Sequence, residues 1–368
     1  MNKMTESSIE FLEEMLKIYS PSMREGEIAC FLKDEMANQL GFSNVRLDKA
    51  NNVYGEIGSG NIRLLLCGHM DTVPGKQPVK VTDSVIYGRG ASDAKAALSS
   101  MILAASMIDR ENLDGKILVV GVTDEEGEGR GIREFIKSGI KVEHAIFGEP
   151  SGIDNITIGY KGRIALKIKC ETASVHASAP WMSENAVERI MEIWESIKKY
   201  SNNKEDKNKR YNSLSSCLTL INGGSSHNVT PGNSEITVDI RIPPSLTCDK
   251  VLEDLNGIID KFRADISFPK IQMKIIDKTE PFETNKESSL IRSLSRAIFK
   301  LRKKNPILLR KTGTGDMNVL GNALGIPVVT YGPGNPHMAH TKKEYVEVPE
   351  YRLSIEIYKE AIDTLFKL

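Results

Sequence analysis

Five short segments of this chain carry side chains that could hold a metal ion or move a proton. The first is Cys67-Gly68-His69-Met70-Asp71, which closes the apolar run NIRLLLC at 61–67. His69 and Asp71 stand two residues apart, so in extended backbone both side chains face one way. A metal-ligating imidazole usually gives its second ring N–H to a carboxylate, and Asp71 is spaced to accept it. A strand-end histidine bonded to a local aspartate would have the same spelling. The second is Tyr87-Gly88-Arg89-Gly90-Ala91-Ser92-Asp93, just before an Ala-, Ser- and Met-rich stretch at 95–108. Asp93 reads as the cap of a helix there, or as a carboxylate whose two oxygens bridge two cations. The third, Thr123-Asp124-Glu125-Glu126-Gly127-Glu128, follows the apolar run 116–123. Adjacent carboxylates repel unless cations or protons compensate them. The segment is either an acidic solvated loop, or one glutamate holds a metal while its neighbour acts as general base. The fourth is Gly148-Glu149-Pro150-Ser151. The fifth is His337-Met338-Ala339-His340-Thr341, after the turn Gly332-Pro333-Gly334.

The spacing of apolar residues predicts strands at 61–67, 116–123, 144–147 and 327–331. It predicts helices at 5–18, 25–39, 95–108, 131–138, 287–302 and 350–366. Alternating strands and helices imply a largely parallel sheet covered by helices. Such sheets bind ligands at the carboxyl ends of their strands, where all five segments fall. Two histidines and three carboxylates brought together there suit zinc. From about 157 the rhythm changes. The segment 162–171 (GRIALKIKCE) alternates with period two, as a half-exposed antiparallel strand does. A helix at 185–200, a charged loop at 201–212, strands at 216–222 and 235–241, a helix at 248–262 and a strand at 270–276 follow. That β-α-β-β-α-β order is a split βαβ unit. The expected fold is therefore α/β, a mixed, mainly parallel sheet with helices on both faces built from 1–158 and 277–368. An α+β domain with ferredoxin-like order is inserted at 159–276.

Bulk properties narrow the class. At 368 residues, 40% hydrophobic and 27% charged, the chain fits a two-domain globular protein. Lys+Arg and Asp+Glu number 49 each, so no basic excess points to nucleic acid. Mean hydropathy is −0.27, and no window approaches the length of apolar sequence that spans a membrane. The start, MNKMTESSIEFLEEML, lacks the apolar core of a signal peptide. Five scattered cysteines without C-x-x-C spacing argue against a disulfide framework or a Cys-type zinc site, and predict a reducing cytoplasm. There is no phosphate loop of the Walker type. Gly88-Arg89-Gly90 does not open a dinucleotide fingerprint either, because Asp93 stands where the third glycine would be. His144 and His227 read as structural or loop residues.

In their order along the chain, Gly68-His69-Met70-Asp71, the segment 88–93, Glu125-Glu126 and Gly148-Glu149-Pro150-Ser151 resemble the motifs of a known family. It is the co-catalytic di-zinc carboxypeptidases and aminoacylases. The family includes succinyl-diaminopimelate desuccinylase, acetylornithine deacetylase, glutamate carboxypeptidase and the hydrolases that release lysine or ornithine from an amino-group carrier protein. The resemblance covers nearly the whole chain. It implies a zinc-exopeptidase-like catalytic domain holding two divalent ions, zinc with cobalt as the alternative. By motif, His69 and Glu149 would bind one ion, Glu126 and His340 the other, and Asp93 both. Glu125 would be the general base and Asp71 the partner of His69. His340 matches better than His337, because Glu344-Tyr345-Val346 follows it at the family's spacing. The insert would be a lid and dimerisation domain. In it, His176 of Ser174-Val175-His176-Ala177-Ser178-Ala179-Pro180 would reach the active site across a homodimer. Asn228, Arg241, and Gly313 and Thr314 of Gly313-Thr314-Gly315-Asp316 would meet the substrate.

The implied reaction is hydrolysis of the amide of an N-acylated amino acid. Within the family the chain looks more like the lysine- and ornithine-releasing hydrolases. The signals are Tyr160-Lys161-Gly162-Arg163, Lys311-Thr312-Gly313-Thr314-Gly315-Asp316-Met317-Asn318 and Tyr331-Gly332-Pro333-Gly334. That implies a place in lysine or arginine biosynthesis and an acidic carrier protein as partner, with no nucleic-acid or membrane partner. The stretch 299–311 (FKLRKKNPILLRK), with six basic residues and no acidic one, is then a docking surface or merely a solvated helix end. Acetylornithine or acetyl-lysine deacetylase, succinyl-diaminopimelate desuccinylase and metallo-dipeptidase are the alternative activities. Intact Glu125 and five intact ligands argue against a non-enzymatic binding protein on a decayed fold.

Overall fold

The apolar run ending at His69 forms the strand Ile62–His69, in which Leu64, Leu65, Leu66 and Cys67 are fully buried. Continuous burial of this kind marks a parallel strand covered on both faces. The computed structural model describes residues 2–111, 113–206, 209–264 and 270–367, with side chains from residue 6 onward. The chain divides into two compact units. One is Met1–Gly159 with Glu283–Arg310 and Gly315–Leu368; the other is Tyr160–Phe282 with Lys311–Thr314. Each has its own apolar core.

In the first unit, four adjacent parallel strands lie in the order Gly115–Val122, Ile62–His69, His144–Gly148, Val328–Tyr331. They form the centre of a nine-stranded mixed sheet. The sheet was expected to be mixed, but the flanking strands themselves were not predicted. On one side stand Val53–Ser59 and Ser43–Leu47; on the other stand Asn155–Tyr160, Phe282–Glu283 and Ile307–Lys311. Val53–Ser59 (VYGEIGS) contains two glycines and a glutamate, residues depleted in strands. It pairs nonetheless, and Met36 and Phe42 fill the space a side chain on Gly55 would take.

The helix Lys95–Ser106 is buried on every side, so its alanines and serines are a fully covered surface rather than an amphipathic one. It lies close over the sheet because Gly68 and Gly148 have no side chain. A Cβ would meet Met101 Cε at 2.9 Å from Gly68 and 2.5 Å from Gly148. Its neighbours include Asn2–Lys17 and Val348–Leu365. Lys95 is buried, with Nζ donating to the carbonyls of Met15 (2.9 Å) and Ile18 (2.7 Å). Burial pulls its ammonium down to about 7.

The second unit has four antiparallel strands in the order Ser215–Gly223, Asn233–Ile242, Gly162–Glu171, Lys270–Thr279, joined by the helices Ala186–Asn202 and Cys248–Arg263. This is the split βαβ arrangement. Asn233–Ile242 alternates between buried and less buried positions along most of its length. Its apolar side chains Ile236, Val238 and Ile240 pack with Ile164, Leu166, Ile190, Ile193 and Leu255. Asn185 caps the first helix, accepting from the N–H groups of Val187 and Glu188. The strand expected to stop at 276 runs to Thr279.

The basic stretch 299–311 is less positive than its spelling. Lys300 pairs with Glu360 at 2.7 Å, Arg302 holds Asp154 bidentately at 2.7 and 2.9 Å, and Arg310 pairs with Glu283 at 2.7 Å. Its acidic partners come from elsewhere in the chain. No helix among the described residues is long and apolar enough to cross a membrane.

Candidate metal centre

Three of the four central strands deliver their last or next residues to one place, and the loop after the fourth joins them. His69 ends its strand, Glu125 and Glu126 follow Gly115–Val122, Glu149 follows His144–Gly148, and His340 lies beyond Val328–Tyr331. Asp93 arrives from the turn before Lys95–Ser106. Two groups of donor atoms result, each with all its atoms within 4.8 Å of one another: His69, Glu125 and Glu149, and Asp93, Glu126 and His340. Asp93 faces both. Its Oδ1 lies 3.3 Å from His69 Nε2 and its Oδ2 lies 3.3 Å from His340 Nε2. His340 Nε2 is also 2.8 Å from Glu126 Oε1, and His69 Nε2 is 3.9 Å from Glu149 Oε1.

The alternative of Asp93 as a helix cap does not hold. The helix starts at Lys95 with Ala94 in the capping place and no side-chain cap, and the Asp93–Ala94 peptide is cis. The turn is fixed instead by Glu344, a buried carboxylate. Its Oε1 accepts from the N–H groups of Ser92 (3.0 Å) and Asp93 (2.9 Å), and its Oε2 from Arg89 (2.8 Å). Ser92 Oγ donates to the carbonyl of Asn335, which ties this turn to the loop carrying His340. His337 is exposed on the short turn Pro336–Met338 and joins neither donor group.

His69 is fully buried. Its Nδ1 donates to the main-chain oxygen of Asp71 at 2.9 Å, with the Asp71 carboxylate farther off at 3.5 Å. That bond leaves Nε2 as the nitrogen facing Asp93 and Glu149. The Asp71 carboxylate is engaged by Ser22 Oγ (2.7 Å) and by the N–H groups of Glu125 and Glu126 (3.1 Å each). These bonds and His69 hold its carboxyl below the usual range against the cost of burial.

The electrostatics ask for positive charge. Burial pushes the Glu125 carboxyl up to about 7, with Glu126 and Asp93 adding to burial and His69 opposing it. Burial also raises Glu126. The hydrogen bond to Asp93, joined by Glu126, lifts His340 to about 9. His69 is raised too, because Asp71 and Asp93 outweigh its burial. The raised carboxyls and imidazoles all face the space around Asp93, where added positive charge would relieve them. The two histidines and the carboxylate oxygens are the hard-to-borderline donors a zinc-like ion takes. The residues therefore fit a pair of divalent ions.

The sequence did not single out Glu344 for the turn it holds, nor Asp316 for its surroundings. Asp316 opens the helix Asp316–Leu324 and is buried, and its Oδ2 has no hydrogen-bond partner. Burial, then the charge of Glu125, raises its carboxyl well above the ordinary value. In the sequence Glu344 served only as a spacing mark after His340, and only the Gly-Thr-x-Asp context hinted at Asp316.

The remaining expected residues belong to the second unit. His176 and Asn228 are exposed on paired loops. His176 bridges Val229, and Ala177 N–H donates to Asn228 O at 2.9 Å. His176 Nδ1 lies 2.7 Å from Ser178 Oγ. Arg241 is braced, with Nε on Asp239 (2.7 Å) and Nη1 on Thr314 Oγ1 (3.2 Å). Thr314 in turn donates to the carbonyl of Lys161 (2.8 Å), and Gly313 is open on its Cβ side. His144, expected to be structural, bonds Ser289 Oγ at 2.8 Å and the Arg63 carbonyl at 3.3 Å.

A mixed sheet with acidic and imidazole donors at its carboxyl edge defines a metal-dependent hydrolase. Residues 65–364 match peptidase family M20/M25/M40. The chain belongs to this family and is a metal-dependent amide hydrolase. It is 34% identical over 358 residues to a LysW-lysine/LysW-ornithine hydrolase of Saccharolobus islandicus, covering 97% of this chain and 96% of that one. Its fold matches an M20 family metallo-carboxypeptidase from Sulfolobus solfataricus with TM-score 0.79 at 21% identity, covering 100% of both chains. It also matches a dinuclear metal binding peptidase of the same family from Bacillus subtilis, with TM-score 0.72 at 13% identity and 99% of both chains covered.

Proposed function

We propose that this enzyme releases lysine or ornithine from an acidic amino-group carrier protein by hydrolysing the amide that joins them. The observation that carries the substrate is the match, over 97% of the chain at 34% identity, to a LysW-lysine/LysW-ornithine hydrolase. The metal ligands would be His69 and Glu149 for one ion, Glu126 and His340 for the other, and Asp93 for both. Two divalent ions held there, zinc or cobalt, would acidify a water and polarise the scissile carbonyl.

Glu125 would take the proton of the attacking water and return it to the leaving amine, a task suited to a carboxyl held near 7. Asp71 keeps His69 in place and registers both glutamates through their amides. His176 would donate to the developing oxyanion. Arg241, its guanidinium braced by Asp239 and Thr314, would offer a planar fork to a substrate carboxylate near Gly313 and Thr314, and Asn228, paired with the His176 loop, would meet the substrate from there. A homodimer working in the cytoplasm, with the insert expected at 159–276 as lid and dimerisation domain and catalysis in 1–158 and 277–368, completes the reading. A place in lysine or arginine biosynthesis follows from the substrate.

The test is a hydrolysis panel of carrier-linked lysine, carrier-linked ornithine, acetylornithine, acetyl-lysine, succinyl-diaminopimelate and a dipeptide. Turnover of the carrier-linked substrates should exceed the rest. Preference for an acetylated amino acid would make it a deacetylase, and preference for the dipeptide a dipeptidase. Because 299–311 is largely paired internally, charge reversal at Lys303 and Lys304 should raise KM for the carrier-linked substrate only if the carrier docks there.

A further inference from the structure

The amides of three successive residues, 124–126, all point at buried carboxylates that come from distant parts of the chain. Asp124 N–H donates to Glu25 Oε1 at 2.9 Å, and the same oxygen takes the N–H of Met23 at 3.0 Å. The N–H groups of Glu125 and Glu126 go to the two oxygens of Asp71 at 3.1 Å each, and Ser22 Oγ donates to Asp71 Oδ2 at 2.7 Å. The segment holding Ser22 is itself pinned. Thr72 N–H donates to Ser20 O at 3.0 Å, Ser22 N–H to Thr72 O at 3.3 Å, and Ser20 Oγ to the carbonyl of Met70 at 2.8 Å.

Glu25, Asp71 and Asp124 are all buried. A buried N–H needs an acceptor, and an ionised carboxylate is a strong one. The turn so held is one the backbone does not favour, since Asp124 has φ of 58°, in the left-handed region. Its own carboxylate is committed to closing the turn, taking the N–H groups of Glu128 and Arg130 at 3.3 and 3.4 Å. The directions in which Glu125 and Glu126 leave the backbone therefore depend on acceptors outside the turn.

We infer that Glu25 and Ser22 are positioning residues for the reaction. Glu25 acts through the amide of Asp124, and Ser22 through the carboxylate of Asp71. Together they fix where Glu125 meets the proton it moves and where Glu126 presents its oxygen. Both lie before residue 65, where the family match begins. The inference rests on the roles proposed above for Glu125 and Glu126.

The test compares Glu25→Ala, Glu25→Gln and Ser22→Ala in the full chain. Three quantities are read: hydrogen exchange at the amides of 124–126 in zinc-free protein, zinc content after loading, and kcat and KM on the best substrate of the panel. Glu25→Ala should speed exchange in that turn alone, keep both zinc ions, and lower kcat about 10- to 100-fold with KM unchanged. Glu25→Gln keeps an acceptor oxygen and should recover most of kcat. Ser22→Ala should give a smaller loss of the same kind. Wild-type kcat in Glu25→Ala would overturn the inference, as would a loss that follows global unfolding and that glutamine does not rescue. If the wild type hydrolyses nothing in the panel, the functional reading fails on its own. Exchange then decides, since unchanged protection at 124–126 in Glu25→Ala would overturn the inference.

Discussion

The two units hold their candidate residues in opposite ways. In the first, His69 and Asp71 are fully buried, and the backbone around Asp93, Glu125 and Glu126 is hydrogen-bonded to Glu344, Asp71 and Glu25. In the second, His176 and Asn228 are exposed, held by a short pairing of two loops. The parallel sheet sets the first group, because its strand ends fall side by side. The second group hangs on loops that cover little apolar surface, the kind of segment that opens and closes at low cost. One region holds its charged groups through buried hydrogen bonds, whereas the other leaves its polar groups open to solvent.

The sharpest way to break that contrast is to remove the carboxylate that faces both donor groups. Asp93→Ala should abolish turnover and empty both metal positions, whereas His69→Ala should weaken mainly one. Metal titration of each purified variant reads the difference. Two ions bound normally by Asp93→Ala would leave that residue with no role beyond its turn.

Glu125→Gln should keep both ions and lose about 10²–10⁴-fold in turnover, because it removes a base and not a ligand. Metal content measured beside kcat checks it. Lost metal with a matching loss of activity would mean that Glu125 and Glu126 exchange roles.

The exposed region is tested by mixing subunits. If His176 serves the partner's site, inactive Glu125→Gln and inactive His176→Ala chains should complement. Random exchange within a two-fold dimer leaves about a quarter of sites intact. No recovery after confirmed exchange would mean that His176 acts within its own chain or is only structural.

The smallest effect concerns stability. The Asp316 carboxyl is raised, by burial first and Glu125 second, above its ordinary value near 3.8. The folded chain then keeps a proton that the unfolded chain releases. This contribution is fully present below about pH 4 and is lost as pH rises towards the raised folded value. With metals chelated, Asp316→Asn and wild type should melt alike near pH 4. They should diverge towards neutrality, the variant melting about a few degrees higher. Parallel curves would mean that Asp316 is not the group responsible.

Much of the molecule was legible in the sequence because its signals are local. The period-two alternation of Gly162–Glu171 and the buried run of Ile62–His69 each report their own neighbours, and both segments formed as read. Most of the candidate donors were legible too, because His69, Glu126, Glu149 and His340 end or come after strands that could be recognised by themselves, whereas Asp93 was marked only by the helix that follows it. The flanking strand Val53–Ser59 was not, since its glycines and glutamate carry no strand signal and only Met36 and Phe42 packing over it gives it a place.

What the sequence determined was the set of side chains at the sheet's carboxyl edge and the order in which the strands supply them. What only tertiary structure decided was the partner each charge meets. Asp154, Glu360 and Glu283 offset half of the charge of a basic stretch that looks free when spelled out. Nothing in their sequence context marks Glu344 or Glu25 as the anchor of a turn, yet they hold turns 251 and 99 positions away. A carboxylate's acceptor oxygens are satisfied across space, and no periodicity along the chain records which distant N–H will come to meet them.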